Sequence, residues 1–277
     1  MPSESAWGAS ALVERLRQLS QLIATVVSNA FLKGFATGVI YQGNLKQVCN
    51  PGFNCYSCPS ALFSCPIGAI QFMAAYGSYH VSFYTLGFLS IIGTIGGRII
   101  CGWGCPFGFL QDLLYKVKLP KRDIPQGLEN FKYLLLVILV FIIPYVTLEP
   151  WFCKLCPTGT LEAGIPLLSL NPILRPSAGW FFVLKMVILL FFLVWMMVSV
   201  RPFCRTACPL GAIYSLFNPV SIFRLRVDEE KCTQCDICSC ECPVSLNLNE
   251  IKRNARGCVR CLRCTVCPHG AITFGRS

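Results

Sequence analysis

Charge is what this sequence has least of. Only 13% of its 277 residues are Asp, Glu, Lys or Arg, against roughly 25% in ordinary soluble domains. A soluble single domain could not cover its surface with so few charges, and the 54% of hydrophobic residues excludes disorder. Histidine is nearly missing, with His80 and His269 alone. No glycine-rich nucleotide loop, catalytic triad or paired-carboxylate motif is visible, so no enzyme class is marked out. Acidic residues are outnumbered by basic ones, 13 to 24. In a soluble protein that +11 excess would suggest nucleic acid. In a chain this apolar, membrane topology explains it better, and no nucleic-acid partner is expected.

Cysteine, by contrast, is abundant, at 19 residues. The number is odd, so complete internal disulfide pairing is impossible, and the spacing is too tight for a disulfide framework. Cys232-x2-Cys235-x2-Cys238-x3-Cys242-Pro is the bacterial ferredoxin run, in which three cysteines ligate one [4Fe–4S] cluster and the fourth ligates another. Cys258-x2-Cys261-x2-Cys264-x2-Cys267-Pro is similar but one residue shorter before its last cysteine. Exchange of the fourth ligands predicts one cluster on Cys232, Cys235, Cys238 and Cys267 and a second on Cys258, Cys261, Cys264 and Cys242. Cys240 is left over. Paired zinc knuckles are the competing reading, but zinc needs neither the Cys-Pro steps nor the three-plus-one exchange.

Four stretches are apolar enough to cross a bilayer, which takes about 20 residues: 19–40, 81–100, 132–148 with a kink at Pro144, and 180–200. A signal peptide with Arg15 and Arg17 as its basic region competes for the first. Basic residues gather after the second stretch (Lys116, Lys118, Lys121, Arg122) and after the fourth (Arg201, Arg205, Arg224, Arg226). This bias predicts a multi-pass inner-membrane protein with both termini in the cytoplasm. The expected fold is a mainly α membrane part over 1–218, with four transmembrane helices and a pseudo-two-fold repeat. An α+β bacterial 2[4Fe–4S] ferredoxin-like domain over 219–277 completes it.

The repeat is read from two motif pairs. Arg98-x-x-Cys101-x3-Cys105-Pro-Phe-Gly matches Arg201-x-x-Cys204-x3-Cys208-Pro-Leu-Gly. Cys65-Pro-Ile-Gly resembles Cys156-Pro-Thr-Gly. Proline suits the first turn of a helix, and the positive helix end favours an anionic cluster, so Cys-Pro-x-Gly reads as a cluster ligand that starts a helix. Cys101, Cys105, Cys204 and Cys208 offer a third cluster site on the inner face, with a redox-active thiol pair or a structural role as rivals. Cys55, Cys58, Cys65, Cys153 and Cys156, with Cys49 nearby, offer a fourth on the outer face, in competition with disulfides. A hydrocarbon core of about 30 Å would separate the two faces, so either the sites dip into the membrane or a quinone or partner cofactor bridges them. His80 reads as an interfacial residue or a proton acceptor from quinol. Lys252, Arg253, Arg256, Arg260 and Arg263 read either as a docking face for an acidic partner or as charges offsetting the clusters.

Apolar spans, Cys-x3-Cys-Pro after the second and fourth, and a C-terminal eight-cysteine run, in that order, resemble the NapH/NosR/CcoG-type membrane polyferredoxins over roughly residues 80–277. The resemblance implies electron passage between a quinol or cytoplasmic donor and a periplasmic acceptor, within an oxidoreductase complex such as a quinol dehydrogenase. The chain departs from the pattern in its outer cysteine set and in having no flavin-binding domain of the NosR kind. The expected function is therefore a membrane-integral iron–sulfur electron carrier working with redox partner proteins. An assembly or metal-handling factor for an oxidoreductase, and an iron–sulfur redox sensor, are the rivals.

Overall fold

Long runs of Leu, Ile, Val and Phe, and Cys-Pro steps that begin new helices, set the architecture. A computed structural model describes residues 4–77, 79–177 and 179–276. The side chains of 4–10, 79–82, 126, 174, 175 and 177 lie outside the described residues, so the two readings of His80 are not addressed. The chain is mostly helical.

The first helix, α1 (Glu4–Ser28), differs from the expected span over 19–40. It starts earlier, includes Glu14 and Arg17, and stops at Ser28. Asn29 ends it, donating from Nδ2 to Thr25 O (3.1 Å) and to Asn54 Oδ1 (3.3 Å). A short helix, Lys33–Thr37, follows and closes at Gly38 in the left-handed region. Polar side chains and a tight glycine contact thus break what looked like one apolar run. The charges that α1 includes are neutralised in place: Arg17 pairs with Glu14 (2.7 Å) and Asp112 (2.8 Å). One face of α1 exposes Leu12, Leu16, Leu19, Ile23 and Val26 at helical spacing.

Helices also cover most of the other three apolar stretches. α2 (Pro66–Tyr76) and α3 (Tyr79–Gly96) form a hairpin around Gly77, whose φ is 63°. After α3 come α4 (Ile99–Trp103) and α5 (Pro106–Leu114). α6 (Gly127–Thr147) contains π-helical turns over Leu136–Ile142, just ahead of Pro144, where the backbone donor is missing. α7 covers 157–170 and α8 is Trp180–Val198. α9 (Pro202–Thr206) and α10 (Pro209–Phe217) complete the helical part. Among the described residues α6 and α8 are long and apolar enough to cross a membrane, and α3 holds a shorter apolar stretch, Phe83–Gly96. Both long helices expose apolar side chains, among them Val137, Ile142, Leu190 and Phe191.

The centre of the helical part is a ring cluster of Phe53, Phe107, Phe152 and Phe203, with centroids 5.1–6.3 Å apart. Phe53 arrives on the segment between α1 and α2, which dips inward instead of staying on an outer surface. Tyr214 of α10 donates to Pro51 O (3.1 Å), and a Cβ on Gly52 would sit 2.8 Å from Gly104 O.

The C-terminal segment closes with strands β1 (Phe223–Val227) and β2 (Ile272–Arg276), antiparallel, with Leu225 opposite Phe274. Leu225, Val244, Leu246, Ile251, Val259 and Ile272 give it a small apolar core that cysteines complete.

Gly34 lies so close to Pro59 that an added Cβ would sit 2.0 Å from its carbonyl oxygen, whereas one on Gly87 meets nothing. Gly34→Ala should cost about 1–3 kcal/mol and lower the thermal midpoint of the detergent-solubilised chain. Gly87→Ala should leave that midpoint unchanged or raise it.

Candidate metal centres

Four of the five Cys-Pro-x-Gly motifs start helices as their sequence suggests. Cys65, Cys105, Cys156 and Cys208 are N-caps, and the following prolines occupy the first turn. The geometry puts the glycine amide against the thiol: Gly108 N donates to Cys105 Sγ (3.4 Å) and Gly211 N to Cys208 Sγ (3.3 Å). The fifth motif differs. Cys267-Pro-His-Gly270 forms a turn, with Gly270 N on Cys267 O (2.9 Å) and Gly270 at φ 61°.

The inner cysteines converge. Cys101, Cys105, Cys204 and Cys208 are all buried and lie within electrostatic reach of one another. The two motifs clasp reciprocally: Arg98 Nη2 donates to Cys204 O (3.0 Å) and Arg201 Nη1 to Cys101 O (2.6 Å). Arg201 also binds Asp112 Oδ1 through Nε (2.7 Å). Burial works against that carboxylate, but Arg201 and Arg17 outweigh it and hold its pKa below the usual range.

The outer cysteines separate into two groups. Cys55, Cys65, Cys153 and Cys156 line one cavity of about 210 Å³, with Phe53 and Lys185 in its wall. Gly159 also lines it, and a Cβ there would sit in ordinary contact with Cys55 Sγ, at 3.6 Å. Cys58 does not line the cavity; its Sγ lies 3.2 Å from Ser60 Oγ. Cys49 is turned to Thr85 and Ser64. All nineteen cysteines are free of disulfides.

In the C-terminal segment Cys264 lies within reach of Cys258, Cys261 and Cys242, and Cys238 within reach of Cys267. Cys238 lies within reach of Cys264 as well, so the cysteines of the two runs intermingle. Cys232 and Cys235 lie on the loop that leads into a short helix, Ile237–Cys240, which carries Cys238, and Cys240 is exposed. Burial, and Cys261 beside it, push the Cys258 thiol up to about 12. A thiol so held stays protonated unless a cation replaces the proton.

The groups also abut one another. Phe53 N donates to Cys105 Sγ (3.3 Å), and Cys55 follows two residues later. Two residues span at most about 7 Å, so the 30 Å gap between outer and inner cysteines does not exist. On the other side, a Cβ on Gly102 would sit 2.6 Å from Val259 O, and Trp103 Nε1 donates to Arg260 O (3.1 Å). The Cys258–Cys261 loop therefore rests directly on the turn between Cys101 and Cys105.

Charge completes the picture. Among the described residues Arg98, Lys132 and Arg260 are almost fully buried, at 0–1% exposure, and none forms an ion pair, although Glu129 lies within electrostatic reach of Lys132. Buried charges need compensation. Lys132 lies within reach of Cys208 and Cys101, and Arg260 within reach of Cys258. Anionic clusters on these thiolates are the counter-charge that the protein itself lacks, so the residues present fit the group. No three His, Cys, Asp or Glu among the described residues crowd closely enough for a single ion. A cluster differs in that its thiolates sit on separate irons and stand further apart.

One set of residues escaped the spacing argument. Six positions after the cysteine of each helix-starting motif stands a residue that crosses to another cysteine-bearing segment. Gln71 Nε2 donates to Cys153 Sγ (3.1 Å) and Gln111 Nε2 to Cys204 Sγ (2.9 Å). Glu162 Oε2 accepts from Cys55 N (2.8 Å), and Tyr214 is the donor to Pro51 already described. Extending the repeat from Cys-Pro-x-Gly to Cys-Pro-x-Gly-x-x-Gln would have found the first two. The basic residues of the last stretch do not form one face: Arg260 is buried, and Arg263 binds Glu14 (3.0 Å).

A family profile described as "4Fe-4S binding domain" matches residues 79–125, 130–168 and 181–227. The protein MJ0749 of Methanocaldococcus jannaschii is 33% identical over 195 residues, which are 66% of this chain and 67% of that one. The regulatory protein NosR of Stutzerimonas stutzeri is 28% identical over 63% of this chain but only 24% of its own length. The ferredoxin-type protein NapH of Escherichia coli is 25% identical, over 65% of this chain and 62% of its own. No solved structure matches.

Arg260 holds the C-terminal segment to the end of α3. Its guanidinium donates to Gly96 O (2.8 Å), Asn218 O (2.7 Å), Ser221 Oγ (2.6 Å) and Phe223 O. Arg260→Met strands these acceptors, at about 1–3 kcal/mol for each one left buried and unpaired. Hydrogen exchange should accelerate selectively in residues 223–227 and 258–261.

Proposed function

Because this chain belongs to the NapH/NosR-type polyferredoxins, we propose that it is a membrane-integral electron carrier whose four cysteine quartets each hold one [4Fe–4S] cluster. In order, the quartets are Cys232/Cys235/Cys238/Cys267, Cys242/Cys258/Cys261/Cys264, Cys101/Cys105/Cys204/Cys208 and Cys55/Cys65/Cys153/Cys156. The observation that carries the reading is their contiguity, through the seat of Val259 on Gly102 and the bond from Phe53 to Cys105. Each cluster supplies a one-electron centre whose potential depends on net charge, hydrogen bonds to sulfur and solvent exposure.

The chain's own residues do the rest. Arg98, Lys132 and Arg260 compensate the thiolate charge in a dry interior. The Phe53, Phe107, Phe152 and Phe203 rings keep water out of the space between the third and fourth quartets. Gln71 and Gln111 donate to thiol sulfurs and fix their orientation. The helices α1, α3, α6 and α8 are the four crossings, and the reciprocal bonds of Arg98 and Arg201 support a pseudo-two-fold relation between halves. The basic loops put both termini and the C-terminal ferredoxin-like domain in the cytoplasm. Electrons then pass between a cytoplasmic redox partner and an acceptor or donor, quinone among them, at the fourth quartet.

Iron and acid-labile sulfide should each approach about sixteen per chain in anaerobically purified protein. A Cys101→Ser/Cys204→Ser variant and a Cys65→Ser/Cys153→Ser variant should each lose about four iron, while Cys49→Ser, Cys58→Ser and Cys240→Ser lose none. A total of about eight would confine clusters to the ferredoxin-like pair.

Replacing Gln111 or Gln71 by Leu removes a donor to sulfur and should lower the potential of the third or fourth cluster, respectively, by about 60 mV, a tenfold shift for one electron. An EPR-monitored redox titration reads the change, and the other clusters serve as internal controls.

A further inference from the structure

The acidic residues of this chain are not spread evenly. Residues 228–250 hold six of the thirteen, with one basic residue among them, in a chain of formal charge +11. Two of the basic side chains at this site are already engaged. Lys231 pairs with Asp228 (2.9 Å) and Lys252 with Glu229 (2.8 Å). Glu230, Asp236 and Glu241 make no ion pair among the described residues; the first two are exposed and the third half-buried.

These three carboxylates flank the quartet at the end of the row. Glu230 precedes Cys232 by two residues, Asp236 adjoins Cys235, and Glu241 follows Cys240. Of the sixteen quartet cysteines, Cys235 alone is exposed. Nearby positive charge faces elsewhere: Arg260 is buried, Arg263 is held by Glu14, and Arg256 borders the crevice that contains Glu129. Arg226 and Arg253 are exposed, two against the three unpaired carboxylates.

We infer that the redox partner at this end of the chain is a protein with a lysine- or arginine-rich face, which docks on Glu230, Asp236 and Glu241 over Cys235. The inference rests on the cluster reading above. A cluster on four thiolates adds negative charge to a surface that is already acidic. Complementary charge raises encounter rates 10- to 10³-fold, and salt screens that gain. The same surface repels an acidic partner.

The test uses the full chain in non-ionic detergent, reduced and freed of reductant. It is mixed by stopped flow with cytochrome c, a basic electron acceptor, or with plastocyanin, an acidic one. One electron leaves the reduced iron–sulfur centre and reduces one ferric haem or one cupric ion. The rate with cytochrome c should fall at least about tenfold between 10 mM and 500 mM salt, while that with plastocyanin stays level or rises. A Glu230→Gln/Asp236→Asn/Glu241→Gln variant with unchanged iron should lose most of the salt dependence. A cytochrome c rate indifferent to salt overturns the inference, and so does a variant of full iron content that keeps the original salt slope. If the variant loses iron, the comparison of the two acceptors with the unaltered chain decides. A chain without iron–sulfur absorbance overturns the cluster reading itself, which separates the two failures.

Discussion

The structure depends on an unbalanced buried charge. Arg98 and Arg260 are shut away from water with no carboxylate to meet them, and Lys132, equally buried, has Glu129 within reach but not in an ion pair. Elsewhere the protein balances its buried cations with care: Asp112 serves both Arg17 and Arg201, and Glu129 serves Arg205. The exceptions all lie beside cysteines. A buried unpaired cation is too costly to persist without compensation, so the thiols near these residues are where the missing negative charge belongs. The formal +11 that first suggested membrane topology thus has two origins. Part lies in loops between the apolar stretches, and part is interior charge beside thiols.

Geometry makes that balance repeatable. A cysteine as N-cap, a proline in the first turn and a glycine two residues after it bring a backbone N–H onto sulfur, as at Cys105 and Cys208. The helix then carries the residue six positions on to a neighbouring segment. Gln71 and Gln111 use that reach to touch the thiol of another motif, and Glu162 and Tyr214 use it to hold backbone. One local sequence pattern therefore does two jobs. It polarises its own cysteine and ties a second segment beside it.

Much of this was legible in the residues. Helix starts at four of the Cys-Pro-x-Gly steps, and the nearness of the two Cys-x3-Cys pairs, follow from short-range spacing, which local backbone geometry enforces. Two things were not. The run 19–40 looked continuous because hydropathy ignores Asn29 and Gly34, yet the first ends α1 and the second fits only without a side chain against Pro59. The segment holding Cys49 to Cys65 looked like an outer loop because it lies between apolar runs. Its inward path is fixed by Tyr214, Gly104 and Cys105, partners 50 to 160 residues away that no local pattern reports.

That inward path removes the main physical objection to a wire. Cysteines on opposite faces of a bilayer would be separated by about 30 Å of hydrocarbon, and an electron carrier would need another cofactor between them. Bringing Cys55 within two residues of a bond to Cys105 replaces that gap with one aromatic layer. The cost is a length of irregular backbone in an apolar setting, which is tolerated only where its polar groups are satisfied by protein. They are here: Pro51 O takes Tyr214, Phe53 N takes Cys105, and Cys55 N takes Glu162. Two of those three partners stand six residues after a Cys-Pro-x-Gly cysteine. The repeat that builds the thiol sites therefore also makes it affordable to bury the segment joining them.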